Sequence, residues 1–268
     1  MTPDHTYKVY AVRYGVHDRP AYENFIGGDP HDDASMPLDF FVWAIVGDEQ
    51  TIVVDTGFSP AVARRRGRTL VRPIGEGLRA IGIDAEAVES VIITHMHYDH
   101  AENLDLFPRA RFHLQEREMQ FSTGPCMCHA FMRMPFEAED VAAMVHRVFE
   151  GRVAFHDGDA EVAPGVTVHL IGGHSMGLQA VRVRTKRGWV VLASDASHFY
   201  ANMIQGRPFP VAYNLPDVLR GYETVRGLAE SPQHVIPGHD PQVLVRFPAV
   251  HAELPGVVRL DLEPVTGG

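Results

Sequence analysis

Six consecutive residues, His95-Met96-His97-Tyr98-Asp99-His100, set three imidazoles and a carboxylate directly after the apolar run Ser90-Val91-Ile92-Ile93-Thr94. A short apolar run of this kind predicts a buried strand, so the cluster stands where that strand leaves a sheet. Side chains alternate along a strand, which puts His95 and His97 on one face. A turn into a helix then swings Asp99 and His100 toward a second point nearby. Imidazole nitrogen combined with carboxylate oxygen suits zinc and similar first-row divalent ions, whereas calcium or magnesium sites are built mainly from oxygen. One segment can therefore serve two cations, and the ligands that complete both sites have to come from further along the chain.

Three later positions fit that need. His174 follows the run from Val166 to Gly173, Asp195 follows Trp189 to Ser194, and His239 follows Val235 to Gly238. Each stands at the end of an apolar, strand-like stretch. Each taken alone also reads as a capping or turn residue; together with the first cluster they make a set.

With these residues the chain resembles the metallo-β-lactamase superfamily. His95 to His100 match its HxHxDH pattern, His174, Asp195 and His239 match its downstream ligands, and Asp55-Thr56-Gly57 is similar to its early Asp-x-Gly turn. The contexts Gly172-Gly173-His174-Ser175-Met176-Gly177 and Pro237-Gly238-His239-Asp240 are most similar to the N-acyl homoserine lactonase branch. The resemblance implies an α/β fold, an αββα sandwich in a single domain spanning residues 1–268. It implies two zinc ions, with manganese, cobalt or iron as alternatives. His95, His97 and His174 would hold one, Asp99, His100 and His239 the other, and Asp195 would bridge them. The activity implied is hydrolysis of a lactone by a bridging hydroxide, with Asp99 relaying a proton to the leaving alkoxide and an N-acyl homoserine lactone as leading substrate. Family habit adds a homodimer. In many such lactonases a tyrosine three residues past the bridging aspartate helps hold the substrate carbonyl; here that position is His198. Either His198 contacts the substrate, or Tyr200 reaches in from a bulged turn, or the substrate differs. Ala101-Glu102-Asn103 also departs from the glycine pair that relatives often carry.

Composition narrows the alternatives. A net charge of −10 argues against a nucleic-acid substrate, which needs a field of Lys and Arg. The basic run Arg64-Arg65-Arg66-Gly67-Arg68 reads as a solvated helix end without a functional role. Cys126 and Cys128 are too close for a fold-stapling disulfide. Reduced thiols, an N-terminal segment Met1 to Lys8 with no apolar signal core, and no run able to span a bilayer predict a cytoplasmic protein without a membrane partner. Hydrolysis of another lactone or a cyclic amide, a glyoxalase II-like thioesterase, and a metal-binding sensor scaffold stand as the competing functions. The thioesterase would be expected to carry a C-terminal helical domain, for which the stretch after Pro241 leaves little room.

Periodicity predicts strands over Tyr7 to Tyr14, Phe40 to Val46 and Thr51 to Val54, the last two as a hairpin. Further strands are expected over Thr167 to Ile171, Leu178 to Arg184 and Trp189 to Ala193. Helices are predicted near Ile74 to Ile81, from Phe136 to Phe149 with a core-facing stripe through Val141, Met144, Val145, Val148 and Phe149, and from Asp217 to Ala229. The long loop Gly27 to Pro37 is expected to border the substrate pocket, with His31 outside the metal site. Cys126 to Phe136, rich in Met and Phe, is assigned to ordinary packing in preference to a pocket wall.

Overall fold

The computed structural model describes residues 5–265. The first four residues, part of the segment read for an export signal, lie outside them. The strands in chain order are β1 (Lys8–His17), β2 (Leu38–Val46), β3 (Thr51–Val54), β4 (Thr69–Leu70), β5 (Ser90–Ile92), β6 (Arg111–Gln115), β7 (Val153–His156), β8 (Ala160–Ala163), β9 (Val166–Leu170), β10 (Gln179–Thr185), β11 (Gly188–Ser194), β12 (Val235–Pro237) and β13 (Val257–Arg259). They form two mixed sheets. The first is ordered β13-β1-β2-β3-β5-β6-β7, with β4 paired to β1; the second is ordered β12-β11-β10-β9-β8.

The unbroken apolar run of β2 is explained by burial on both faces. Phe41, Trp43 and Ile45 pack into the core between the sheets, against Val181, Val183 and Val191 of the second sheet. The alternate residues Phe40, Val42 and Ala44 pack on the other side, under Val62, Ile74 and Leu78 of the outer helices. A period of two thus feeds two cores from one strand. The second sheet is covered by the helix Leu215–Leu228, whose Val218, Tyr222 and Val225 recur at helical spacing and join the inter-sheet cluster's side of the molecule. Two sheets with helices outside each is the αββα sandwich expected.

Most expected elements are present with shifted ends. Strand β1 continues three residues past Tyr14 because a bulge between Arg13 and Gly15 lets pairing with β2 resume. The β10–β11 hairpin closes at Thr185 and Gly188. The helix expected from Phe136 starts at Ala138, and its stripe is only partly core: Met144 is fully buried, but Phe149 is 89% exposed. Periodicity carried the stripe one turn beyond the surface it packs on. Among the described residues no helix is long and apolar enough to cross a membrane.

Candidate metal centre

Strands of both sheets end at one edge, and the loops leaving them carry the candidate ligands. The segment His95 to His97 follows β5 and leads into the short helix Tyr98–Ala101. His174 lies in the loop between β9 and β10, Asp195 follows β11 directly, and His239 follows β12. All seven side chains are buried. They converge as His95, His97, His174 and Asp195 in one group and Asp99, His100 and His239 in a second, with the ligand atoms of each group within 4.8 Å of one another. Asp195 joins the two groups. Its Oδ2 lies 3.1 Å from His174 Nε2, and its Oδ1 lies 2.9 Å from His239 Nε2 and 3.4 Å from His100 Nε2.

The cluster fits a pair of divalent cations on its own chemistry. His95 Nε2 and His100 Nε2 are buried and have no hydrogen-bond partner among the described residues. A buried polar nitrogen without a partner costs about 1–3 kcal/mol, so such atoms persist where something else satisfies them. His97 Nδ1 and His174 Nε2 sit 2.9 Å apart, both turned into the same space. The titration behaviour agrees. Burial holds His95 and His97 well below their ordinary pKa, keeping neutral, ligand-ready imidazoles. At His100, burial is outweighed by the carboxylates of Asp195, Asp99 and Asp55, so its pKa rises: this side of the site draws positive charge.

Outer contacts orient three of the rings. Asp55 Oδ2 accepts from His100 Nδ1 at 2.7 Å, leaving Nε2 to face inward. The Val211 carbonyl does the same for His174 Nδ1 at 2.8 Å, and the Asp39 carbonyl for His239 Nδ1 at 2.9 Å. Asp55 is itself fixed by the Thr94 amide at 2.7 Å and hydroxyl at 2.8 Å. Both Asp55 (φ 63°) and Ser194 (φ 47°) occupy the left-handed region, which non-glycine residues rarely adopt. The strain is concentrated beside the ligands, where it aims Asp55 at His100 and Asp195 into the cluster. Asp55 entered the sequence reading only as part of a turn.

Glu118 gave no signal in the sequence. From the helix Glu116–Ser122 its fully buried carboxylate accepts from the Met96 amide at 2.9 Å, the Ser175 hydroxyl at 2.7 Å and the Gly177 amide at 2.9 Å. It thereby ties the loop of His95 and His97 to the loop of His174. The departure at Ala101-Glu102-Asn103 also has a use: Glu102 accepts from the Ser59 amide, and Asn103 donates to the Thr56 carbonyl at 2.8 Å. Both anchor the ligand helix to the loop after β3.

A cleft of about 330 Å³ opens over the cluster, with His97, Asp99, His174, Asp195, His198 and His239 among the residues lining it. His198 lines this cleft: its Nε2 lies 3.1 Å from Asp195 Oδ2, and its ring stacks on Phe209 at 3.7 Å between centroids. Burial pushes it down to about 3, so it is neutral. Tyr200 does not join them. It is buried in the core beneath Arg246, whose guanidinium lies 4.0 Å from its ring, and it lines no part of the cleft.

Three expectations about the surroundings are corrected. No residue of Gly27 to Pro37 lines the cleft; Arg19 and Leu38, on either side of that loop, do. Phe131, Met134 and Pro135 form part of the cleft wall, while Cys126, Met127 and Met132 pack against the core, so the soft apolar segment is divided between the two roles. Arg64 to Arg66 do end a helix, but Arg66 and Arg68 turn into the cleft, which the linear sequence could not reveal. His31 is exposed, away from the cluster. Cys126 and Cys128 are both free.

The sandwich and its ligand cluster are those of a metal-dependent hydrolase family, and residues 40–239 match the model of the metallo-beta-lactamase superfamily. The chain belongs to that superfamily. Among curated relatives it is 29% identical over 218 residues to an N-acyl homoserine lactonase of Agrobacterium fabrum, covering 72% of this chain and 76% of the relative. It is 27% identical over 190 residues to an N-acyl homoserine lactonase of Bacillus cereus, covering 65% and 70% respectively. A solved quorum-quenching N-acyl homoserine lactone lactonase superposes with a TM-score of 0.72 at 21% identity, over 89% of this chain and 95% of that one.

Proposed function

We propose that the protein is a dinuclear, metal-dependent hydrolase that opens the ring of a small lactone, with N-acyl homoserine lactone as the candidate that the relatives' names favour. His95, His97 and His174 would hold one ion and Asp99, His100 and His239 the other, with Asp195 shared. Zinc is the ion this donor set suits best, and manganese, cobalt or iron accept the same ligands. When bound, such ions polarise a carbonyl and bring the pKa of water down to roughly 7. The observation that carries the reading is the meeting of the two ligand groups on Asp195 at the floor of a cleft.

The chain's own groups do the rest. Asp55, the Val211 carbonyl and the Asp39 carbonyl each hold a proton on the Nδ1 of a ligand imidazole, so Nε2 is the nitrogen presented. Phe209 keeps the His198 ring in one plane at the position where many lactonases place tyrosine; the single N–H of the neutral ring would be shared between Asp195 Oδ2, 3.1 Å from Nε2, and a substrate oxygen bound beside that carboxylate. Asp99, beside His100 and His239 and lining the cleft, would carry a proton to the leaving alkoxide, a role its position supports. Phe40 and Phe209 restrict water on that side. Overall, one water and one lactone yield a hydroxy acid, which releases a proton at neutral pH.

The test is pH-stat hydrolysis of a lactone panel, beside a thioester and a β-lactam, by zinc-loaded protein. Metal content is measured in parallel on wild type, Asp195→Ala and His97→Ala. Lactone turnover above roughly 10⁴ M⁻¹s⁻¹ in kcat/KM is expected, with chelation abolishing it and both variants losing metal and activity. Either variant keeping full metal and full rate overturns the assigned ligand set, and turnover confined to the thioester or the β-lactam overturns the lactone.

A further inference from the structure

We infer that the cleft prefers a lactone carrying an anionic substituent, a carboxylate foremost, and that Arg68 supplies the cation that recognises it. This rests on the lactone-opening reading above and narrows its substrate class, away from the uncharged acyl homoserine lactones and toward acidic ones.

One wall of the cleft is built by Arg19, Arg66 and Arg68, opposite a floor of ligand residues. Two of these guanidiniums already have an anion. Arg66 Nε pairs with Glu137 Oε1 at 2.7 Å while its plane covers the Tyr98 ring at 4.0 Å, and Arg19 Nε pairs with Glu23 Oε2 at 3.3 Å. Arg68 differs. Its Nε donates to the Tyr98 hydroxyl at 3.0 Å, and its Nη1 donates to the Arg66 carbonyl at 2.8 Å and meets His17 Nε2 at 3.0 Å. A phenol, a carbonyl and an imidazole are all neutral, and among the described residues no carboxylate pairs with Arg68.

A half-buried guanidinium lacking a counter-anion is an unusual thing to keep in a chain whose net charge is −10. Its field reaches its neighbours: burial, reinforced by Arg68 and then Arg19, pushes His17 down to about 4. The surplus positive potential is therefore local and faces a concave, partly aromatic space. With Nε and Nη1 engaged, Nη2 is the guanidinium nitrogen left to make a charge-assisted bond to a carboxylate, and the pairing is worth most where water is displaced. Size points the same way. About 330 Å³ is near the lower limit for small-molecule sites, which suits a compact ring with one short acidic arm better than a long acyl tail. Such a molecule spans the cleft with its carbonyl toward Asp195 and His198 and its carboxylate toward Arg68.

The experiment compares 5-oxotetrahydrofuran-2-carboxylate with the corresponding carboxamide, which share ring and shape and differ in charge. With zinc-loaded wild type, kcat/KM for the carboxylate should exceed that for the carboxamide by ~10-fold or more. Raising NaCl from about 0.05 to about 0.5 M should erode the carboxylate's advantage through its KM, as screening requires. Arg68→Met should bring the carboxylate-to-carboxamide ratio to about 1, and Arg68→Lys should restore part of it. A ratio that stays the same in Arg68→Met overturns the proposal, because a guanidinium that merely braces Tyr98 would alter both substrates alike. Calorimetric binding of pyroglutamate and pyroglutamide, the lactam counterparts, separates this inference from the reaction it rests on. Arg68-dependent preference for pyroglutamate with neither lactone opened upholds the anion wall and rejects the lactone. Lactone opening without charge preference, or equal or undetectable binding of the two lactams, rejects the anion wall.

Discussion

Replacing Glu118 by glutamine changes one oxygen to an amide nitrogen at a buried point where three donors converge. In the wild type, Oε1 accepts from the Met96 amide, while Oε2 accepts from both the Ser175 hydroxyl and the Gly177 amide. The best glutamine orientation keeps its carbonyl on Ser175 and Gly177 and turns its NH₂ toward the Met96 N–H, so two donors face each other. Leaving that amide unsatisfied costs about 1–3 kcal/mol, and the two surviving bonds each lose about 1 kcal/mol of charge assistance. Against this, a neutral amide is cheaper to bury than a carboxylate, and burial already pushes Glu118 upward in pKa. The net expectation is a loss of ~2–4 kcal/mol, or ~4–8 °C in Tm at this chain length. The side chain cannot back away, because the Gly177 backbone packs so tightly on Glu118 that a Cβ there would lie 2.2 Å from the Glu118 nitrogen. Since Glu118 links the loops of His97 and His174, metal affinity should fall ~10–100-fold as well. Thermal unfolding in chelator isolates the protein's own loss, and a competition titration with a chromophoric chelator measures the metal. An unchanged Tm together with unchanged affinity would refute the idea that this carboxylate holds the two ligand loops in register.

Gly238→Ala should expel metal with little effect on the rest of the sandwich. A Cβ there would meet the Ser194 carbonyl at 2.8 Å and Asp195 Oδ1 at 2.9 Å, so the shared carboxylate has to move; elemental analysis should show metal loss, and full retention would contradict the contact. Burial, with the neighbouring His156 and Arg111, pushes His113 down to about 4, whereas the unfolded chain protonates it near 6.5. Its contribution is therefore complete above about pH 6.5 and is lost as pH falls from about 6.5 toward about 4, on the order of 1–2 kcal/mol after allowing for its partial exposure. Chelator-treated protein followed by thermal unfolding should lose stability over that window, and His113→Gln should flatten the slope; a variant with the wild-type pH profile would remove His113 as the source.

The ligand set was legible because each member carries a local signal: a chemically specific side chain at the end of an apolar run. His95 to His100 could be assembled from strand and turn periodicity alone, and His174, Asp195 and His239 became a set once one sheet edge was supposed to gather them. Glu118 carries no such signal, and Asp55, which follows the run Thr51 to Val54, was legible only as a turn and not as the partner that orients His100. Their importance comes from a left-handed backbone and from burial against loops distant in sequence, and neither is visible in residue type. The same limitation produced the misreadings. Phe149 satisfies helical periodicity, yet the helix runs past the sheet that would bury it. Tyr200 is near Asp195 in sequence, yet it enters a helix that carries it into the core, leaving His198 on the cleft.

The doubly layered sandwich was what the family resemblance implied, while what the sequence determined by itself was the unbroken apolar run that lets β2 be buried on both faces and the identity of the donors available to a metal. These depend on local periodicity and on intrinsic side-chain chemistry, and both are written residue by residue. Only the tertiary structure decided which polar groups orient those donors, how large the cleft above them is, and that a basic run at a helix end turns Arg66 and Arg68 inward. These depend on distances between segments remote in the chain, and packing sets them through the sum of many weak contacts that no single stretch of sequence encodes.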